Sequence, residues 1–114
     1  MWKEDFLLMD RSSYIIQMIR DKAADVMPEG SKVVLFGSRA RGDSHSNSDW
    51  DVLLLLNKEK INEDDHDSYS YPLFELGWEI DAQIHPIMFT LKEWEKRQKT
   101  SLYQNVEKEG IVLC

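Results

Sequence analysis

The sequence predicts a single α+β domain in which helices flank a mixed β-sheet. The chain has 114 residues, about the length of one domain. Hydrophobic residues make up 42% and charged residues 31% of the chain, as in a folded globular protein. Segments with the pattern of strands alternate with segments of helical periodicity, an order typical of helices packed on one sheet. We therefore expect residues 1–114 to form one domain.

The first predicted elements are a helix and two apolar strands. Hydrophobic residues recur at three- and four-residue steps over Ser12–Met27, which predicts an amphipathic helix capped by Asp10 or Ser12. The β-branched segment Lys32–Phe36 is predicted as a strand. Trp50–Leu56 is apolar on both alternating faces, which is typical of a central strand. The polar segment between the two strands favours turns, and a short helix is compatible with a start at Ser38.

A second helix and a third strand are predicted next. The helix covers Ser68–Leu76 and ends at Gly77, because glycine commonly follows the last turn. From Trp78 to His85 the side chains alternate between apolar and polar, which predicts a strand that ends at Pro86.

The carboxy-terminal part is predicted to contain two helical segments and an edge strand. Thr90 is followed three residues later by Glu93, the spacing of a capping box, so a helix is expected to begin at the next residue, Leu91. Helical periodicity resumes after a break near Thr100 and continues to Gly110, and residues 111–113 are predicted to close the sheet.

Composition and charge exclude several classes of protein. The chain has 14 basic and 21 acidic residues, a net charge of −7, which disfavours direct binding of nucleic acid by its phosphates. It lacks an apolar run of about 18 residues, so no membrane span is expected. The single cysteine, Cys114, cannot form an internal disulfide, and the first residues lack the order of a signal peptide. We therefore expect a cytoplasmic protein.

Two carboxylates at the start of the central strand are candidate metal ligands. Asp49 and Asp51 are two residues apart, so they lie on the same face of a strand, roughly 7 Å apart along the chain. Like charges this close repel each other, and a divalent cation between them would convert the repulsion into binding. Oxygen ligands on a rigid strand suit Mg²⁺, which retains open positions for substrate phosphates.

A phosphate-binding turn is predicted directly after the first strand. Gly37 permits a sharp turn and close approach of a phosphate, and the amides of a following helix start would donate to it. Ser38 adds a hydroxyl donor, and Arg39 and Arg41 are candidate cations against a triphosphate.

Asp81 is the candidate third acid. It lies on the polar face of the predicted strand 78–85, together with His85. If that strand neighbours Trp50–Leu56, Asp81 joins the pair of carboxylates and either completes a two-metal site or accepts a proton from an attacking hydroxyl.

These motifs resemble the nucleotidyltransferases with the DNA polymerase β type of fold. The shared pattern is Gly37-Ser38, a ten-residue spacer and Asp49-x-Asp51, followed by a distant acid, here Asp81. Residues 37–42, Gly-Ser-Arg-Ala-Arg-Gly, and the Ser-Asp-x-Asp at 48–51 resemble the signature of the small prokaryotic group called minimal nucleotidyltransferases. The resemblance extends over residues 32–113. Trp50 departs from the pattern, since an aliphatic residue is usual there.

The resemblance implies a function and a partner. It implies transfer of AMP from ATP, with Mg²⁺ on Asp49, Asp51 and Asp81 and the phosphates on Gly37 and Ser38. Members of this group often pair with a helical toxin of the HEPN class, an RNase, and act as antitoxins that transfer AMP to a tyrosine of the toxin.

Two other functions stay open. In the first, the chain is a binding module that neutralises a partner by contact alone, and its acidic surface covers a basic surface of that partner. In the second, it is a nucleotidyltransferase for a small molecule such as an antibiotic. The short chain disfavours the second alternative, unless a homo-oligomer builds the acceptor pocket between its subunits.

Overall fold

The computed structural model describes residues 10–114, and a four-stranded mixed sheet lies at its centre. The first nine residues, which carry part of the cytoplasmic prediction, lie outside the described residues. The elements in chain order are α1 (Arg11–Val26), β1 (Lys32–Phe36), α2 (Ser38–Arg41), β2 (Trp50–Leu56), a π-helical turn (His66–Ser70), α3 (Tyr71–Ile80), β3 (Ile84–Thr90), α4 (Leu91–Glu95), α5 (Ser101–Glu109) and β4 (Ile111–Val112).

The strand order is β3-β2-β1-β4, which confirms the mixed sheet with helices packed on it. Strand β1 is antiparallel to both β2 and β4, whereas β2 and β3 are parallel. Strand β2 is central, as its apolar sequence predicts. Val52, Leu54 and Leu56 belong to the core beneath α1 and α3, and Leu53 and Leu55 belong to a second core beneath α4 and α5.

Local capping residues fix where the helices begin. The Asp10 carboxylate accepts a hydrogen bond of 2.7 Å from the Ser13 amide and so begins α1. The predicted capping box before α4 is confirmed, because Thr90 and Glu93 each accept the other's backbone amide, at 3.0 and 2.9 Å. The predicted break near Thr100 separates α4 from α5. Across residues 10–114, the helices are too short or too polar for any of them to span a bilayer.

The strand predicted over residues 78–85 is wrong. Helix α3 continues through Gly77 to Ile80, and β3 begins only at Ile84. Gly77 does not end the helix; it permits close packing, since a Cβ there would lie 2.5 Å from the Ala82 carbonyl oxygen. Pro86 lies inside β3, where its missing amide is tolerated because β3 is an edge strand.

Candidate active site

The ends of two neighbouring strands bring the glycine-serine turn beside the carboxylate pair. Strand β1 ends at Phe36, which pairs in register with Asp51 near the start of β2. Gly37 follows Phe36 directly, and Asp49 precedes β2 by one residue. The antiparallel pairing therefore places Gly37, Asp49 and Asp51 at the same edge of the sheet.

Gly37 makes room for the Asp51 carboxylate. Its backbone angles, φ 77° and ψ −159°, lie in a region that only glycine occupies readily. A Cβ at this position would lie 3.3 Å from Asp51 Cγ and closer still to Oδ2. The carboxylate thus lies directly against the backbone at the start of α2.

Helix α2 is a single turn that begins at Ser38. The Gly37 carbonyl accepts the amides of Ala40 and Arg41, each at 3.0 Å. The first amides of a helix have no acceptor within the helix, so those at Ser38 and Arg39 point out of its start. Gly42 ends the turn in the left-handed conformation, with φ 88°.

The carboxylate pair has the electrostatics of a cation site. Partial burial and the neighbouring charge of Asp49 raise the pKa of Asp51 above its ordinary value, while His85 and Arg41 act in the opposite direction. A divalent cation would offset both the burial and the repulsion. The two carboxylates therefore fit Mg²⁺, which commonly takes one or two protein carboxylates together with substrate phosphates. Within residues 10–114, no group of three or more histidine, cysteine, aspartate or glutamate side chains is arranged as a metal site.

His85 takes the register position where the third acid was expected. It pairs with Asp51 across the parallel β2–β3 ladder, and its Nδ1 lies 3.5 Å from Asp49 Oδ2. About half of the imidazole is exposed. The sequence pattern predicted that His85 lies on the polar face of its strand. It did not predict that His85 lies beside the two aspartates, because that position depends on the register between β2 and β3.

Asp81 lies elsewhere, because the strand that was to carry it is a helix end. It is the residue after α3, with φ 55° and ψ 52°, and its carbonyl accepts a hydrogen bond from Arg11. Asp81 lines a cavity of about 650 Å³ together with Trp78 and Trp50. Trp50 belongs to the core beneath α1 and α3, so this cavity opens on the sheet face opposite the one towards which Asp51 points. The structural premise for Asp81 as third acid is therefore wrong, because Asp81 is not on a strand beside β2; whether it takes part in the reaction is what the Asp81→Asn variant tests.

Arg39 holds the loop that leads to the acids. Its Nη2 donates to the Ser48 carbonyl at 2.9 Å, and its guanidinium lies 4.4 Å from the centre of the Trp50 ring. The Nε atom is buried without a hydrogen-bond partner among the described residues. These contacts make Arg39 a support for the loop at residues 46–48, which precedes Asp49. The Ser48 hydroxyl accepts the His45 amide at 2.9 Å and the His45 carbonyl accepts the Ser48 amide at 3.0 Å, so Ser48 closes a turn.

Arg41 lies on the acidic side of the site. Its side chain contacts Asp43 at 3.1 Å and Glu109 at 3.2 Å, and these acids raise the pKa of its guanidinium. Its charge also opposes the rise in the pKa of Asp51. Arg41 is half exposed and can exchange these partners for a phosphate.

Comparison with known proteins identifies a family that spans most of the chain. The family described as polymerase beta, nucleotidyltransferase matches residues 17–114. A Methanocaldococcus jannaschii protein provisionally assigned as a protein adenylyltransferase is 32% identical over 101 residues, which cover 85% of this chain and 96% of that protein. The protein adenylyltransferase MntA of Aphanizomenon flos-aquae is 50% identical over 36 residues, 32% of this chain. That match spans about a quarter of MntA, 24% of its length.

Two solved structures have the same fold. A toxin–antitoxin complex crystallised with AMP-PNP aligns with a TM-score of 0.57 and 22% identity, over 92% of this chain and 73% of the matched chain. A provisionally assigned nucleotidyltransferase of Sulfolobus solfataricus aligns with a TM-score of 0.57 and 24% identity, over 89% of this chain and 80% of its own. At these identities the likeness concerns the fold.

Proposed function

Because the chain belongs to the polymerase β nucleotidyltransferase family, we propose that it is an Mg²⁺-dependent adenylyltransferase. Its substrate is ATP, and its acceptor is a tyrosine hydroxyl of a HEPN-class toxin that it neutralises as a cytoplasmic antitoxin. One observation carries the proposal: the Asp51 carboxylate lies against Gly37, where the end of β1 meets the start of β2. A phosphate held at the glycine-serine turn would therefore lie beside the carboxylate pair.

The two carboxylates hold the metal. Asp49 and Asp51 provide oxygen ligands from one face at the start of β2, and burial together with the charge of Asp49 raises the pKa of Asp51, an effect that a bound cation would offset. Bound Mg²⁺ would neutralise charge on the triphosphate and on the departing pyrophosphate. We leave Asp81 out of the ligand set, because His85 takes the register position beside Asp51.

The turn at the start of α2 binds phosphates. Gly37 leaves the backbone accessible, and Ser38 contributes its amide and its hydroxyl. Arg41 adds positive charge on the same side as Asp51. Arg39 positions the loop before Asp49 through Ser48, and its contact with phosphate stays a prediction.

The reaction is an in-line displacement at the α-phosphorus of ATP. A bond forms between the acceptor oxygen and the α-phosphorus, and the bond from the α-phosphorus to the bridging oxygen breaks. Pyrophosphate leaves with that bonding pair, and the hydroxyl proton is released to water. Support for a protein acceptor comes from the relatives, two of which carry the name protein adenylyltransferase, and from the fold shared with a toxin–antitoxin complex that binds AMP-PNP.

The proposal is tested with the chain, its toxin, ATP and Mg²⁺ together. We expect a mass increase of one AMP on a toxin tyrosine by peptide mass spectrometry, lost in the toxin's tyrosine-to-phenylalanine variant and in excess EDTA. Neutralisation should fail when Asp49 and Asp51 are both replaced by asparagine. If that variant still neutralises the toxin, the chain is a contact-only binding module. Transfer to a small molecule with the toxin unmodified would make it a small-molecule nucleotidyltransferase.

A further inference from the structure

Helix α3 carries three aromatic side chains on its solvent face. Tyr71, Phe74 and Trp78 are spaced by three and four residues, so they lie on one side of the helix. Their exposed fractions are 41%, 39% and 70%. We call these three residues the aromatic stripe. Single exposed apolar residues are common on protein surfaces, but a contiguous group of large ones is typical of an interaction site.

The stripe lies on a firmly held helix. The opposite side of α3 packs into the core through Leu73 and Leu76. Arg11 donates from its guanidinium to the carbonyls of Ile80 and Asp81 and so holds the carboxy-terminal end of α3. A rigid aromatic surface loses little conformational entropy when a partner binds.

The stripe is also preorganised within itself. The rings of Tyr71 and Trp78 meet edge to face, with centroids 5.8 Å apart and an interplanar angle of 80°. Aromatic pairs prefer this arrangement, so the contact with Tyr71 favours one orientation of the Trp78 ring.

Acidic side chains border the stripe. Glu75 and Glu79 are exposed on the same helix, four residues apart, and Asp67 is exposed in the π-helical turn that leads into it. In the part of the chain that the structure describes, none of these three forms an ion pair. The surface therefore combines apolar rings with uncompensated negative charge, on a chain whose net charge is −7.

The stripe adjoins a cavity on the sheet face opposite the Asp51 carboxylate. Trp78 lines the cavity of about 650 Å³, and the loop at residues 46–48 lines it too. That loop leads directly to Asp49, the first carboxylate of the site. A protein seated on the stripe would therefore lie beside the loop that enters the site.

We propose that the aromatic stripe is the docking surface for the toxin, which covers it with an apolar patch bordered by lysine or arginine side chains. This inference rests on the proposed function, because it assigns a binding surface to the same partner. Charge complementarity selects this occupant: the family resemblance implies that the toxin is an RNase, which must bind RNA phosphates and so carries basic residues that match the acids around the stripe. Docking there places the toxin against the loop at residues 46–48, which connects this face of the sheet to Asp49.

The test is the affinity of the chain for the purified toxin, measured by titration calorimetry without nucleotide. Trp78→Ala should raise Kd at least about 30-fold, the equivalent of about 2 kcal/mol for a central aromatic contact. The Glu75→Lys/Glu79→Lys variant should lower the association rate by about tenfold and weaken its salt dependence. Val112→Ser, which changes another exposed apolar residue, and Asp25→Lys, which reverses an exposed acid on α1, are the matched controls and should bind as the wild type does.

Several outcomes overturn the docking proposal. The proposal is overturned if the Trp78→Ala variant and the Glu75→Lys/Glu79→Lys variant both bind the toxin with the wild-type affinity, as the two control variants do. Another is a dimer of the free chain, seen by light scattering, that Trp78→Ala converts to a monomer, since a second copy would then cover the stripe. Tighter toxin binding by a chain that begins at Asp10 would make the chain's own first nine residues the occupant.

Failure of docking is distinguishable from failure of the proposed function. AMP transfer to the toxin with normal binding by the Trp78→Ala variant would refute only the docking surface. Loss of toxin binding in that variant, with no AMP transfer by the wild-type chain, would support the docking surface and refute the adenylyltransferase.

Discussion

Replacing Gly37 by alanine tests whether the glycine-serine turn and the carboxylate pair form one site. Two effects are expected. The backbone angles of Gly37 lie outside the regions that alanine adopts, which costs about 1–3 kcal/mol of unfolding free energy. The added methyl group also meets the Asp51 carboxylate, which must move by on the order of 1 Å, and a displacement of this size can reduce catalysis by about 100-fold.

Two other glycines separate these effects. Gly42 has φ 88° and no atom within 4 Å of a built Cβ, so Gly42→Ala adds strain of about 1–2 kcal/mol in the same turn without touching a carboxylate. Gly30 has φ 85°, and its Cβ would meet only the side chain of Asn57, which follows the opposite end of β2 from the acids. Both control variants should be destabilised and yet retain AMP transfer.

The assays are urea unfolding followed by tryptophan fluorescence and pyrophosphate release with ATP, Mg²⁺ and the toxin. Gly37→Ala should lose about 100-fold in kcat/KM at a temperature at which it is folded. If folded Gly37→Ala transfers AMP at the wild-type rate, the turn and the carboxylates do not form one site. An equal loss of activity in Gly42→Ala would show that backbone strain alone explains the effect.

Three further predictions concern other residues of the fold and site. Asp81→Asn should retain AMP transfer and Asp51→Asn should lose it, because His85 and not Asp81 takes the register position beside Asp51. The Asp81→Asn variant should also fold, since asparagine tolerates the left-handed backbone at this position. Equal losses of pyrophosphate release in the two variants would restore Asp81 as the third acid. Asp65 lies 2.8 Å from Lys58, and hydrogen bonds lower the pKa of its carboxyl, so Asp65→Asn should cost about 1–3 kcal/mol in urea unfolding near neutral pH. Since a lowered pKa stabilises the folded state above the unfolded value of 3.8, the difference should shrink as the pH falls below it, and a difference that grows in acid would contradict the assignment. Arg39→Met should loosen the loop before Asp49 and lower transfer without changing ATP affinity, whereas a weaker Kd for ATP would show that Arg39 contacts phosphate.

Local patterns of the sequence were sufficient for the two strands that build the site. Apart from Lys32 and Asp51, Lys32–Phe36 and Trp50–Leu56 are apolar, and turn-forming residues bound them, so their ends could be placed to the residue. Their antiparallel pairing across a polar connection then brings Gly37 beside Asp51. The helix caps at Asp10 and Thr90 were also predictable, because capping depends on side chains within three residues.

The segment around Asp81 could not be predicted in the same way. Trp78 and Ile80 alternate with acids as in a strand, but they form the last turn of a helix whose exposed face is aromatic. Gly77 packs against the chain that follows it instead of ending the helix, and only the tertiary contact reveals this. The place of His85 opposite Asp51 depends on the register of two parallel strands, which no local pattern encodes.

The most direct test of the central claim is label transfer from α-labelled ATP in the presence of Mg²⁺ and the toxin. Wild-type chain and the Asp49→Asn/Asp51→Asn variant should be compared after both are shown to fold and to bind the toxin equally well. We predict that the wild type places the label on the toxin and that the variant places none, because the two carboxylates hold the metal. Undiminished labelling by the folded variant would contradict the account, since the reaction would then proceed without the carboxylate pair.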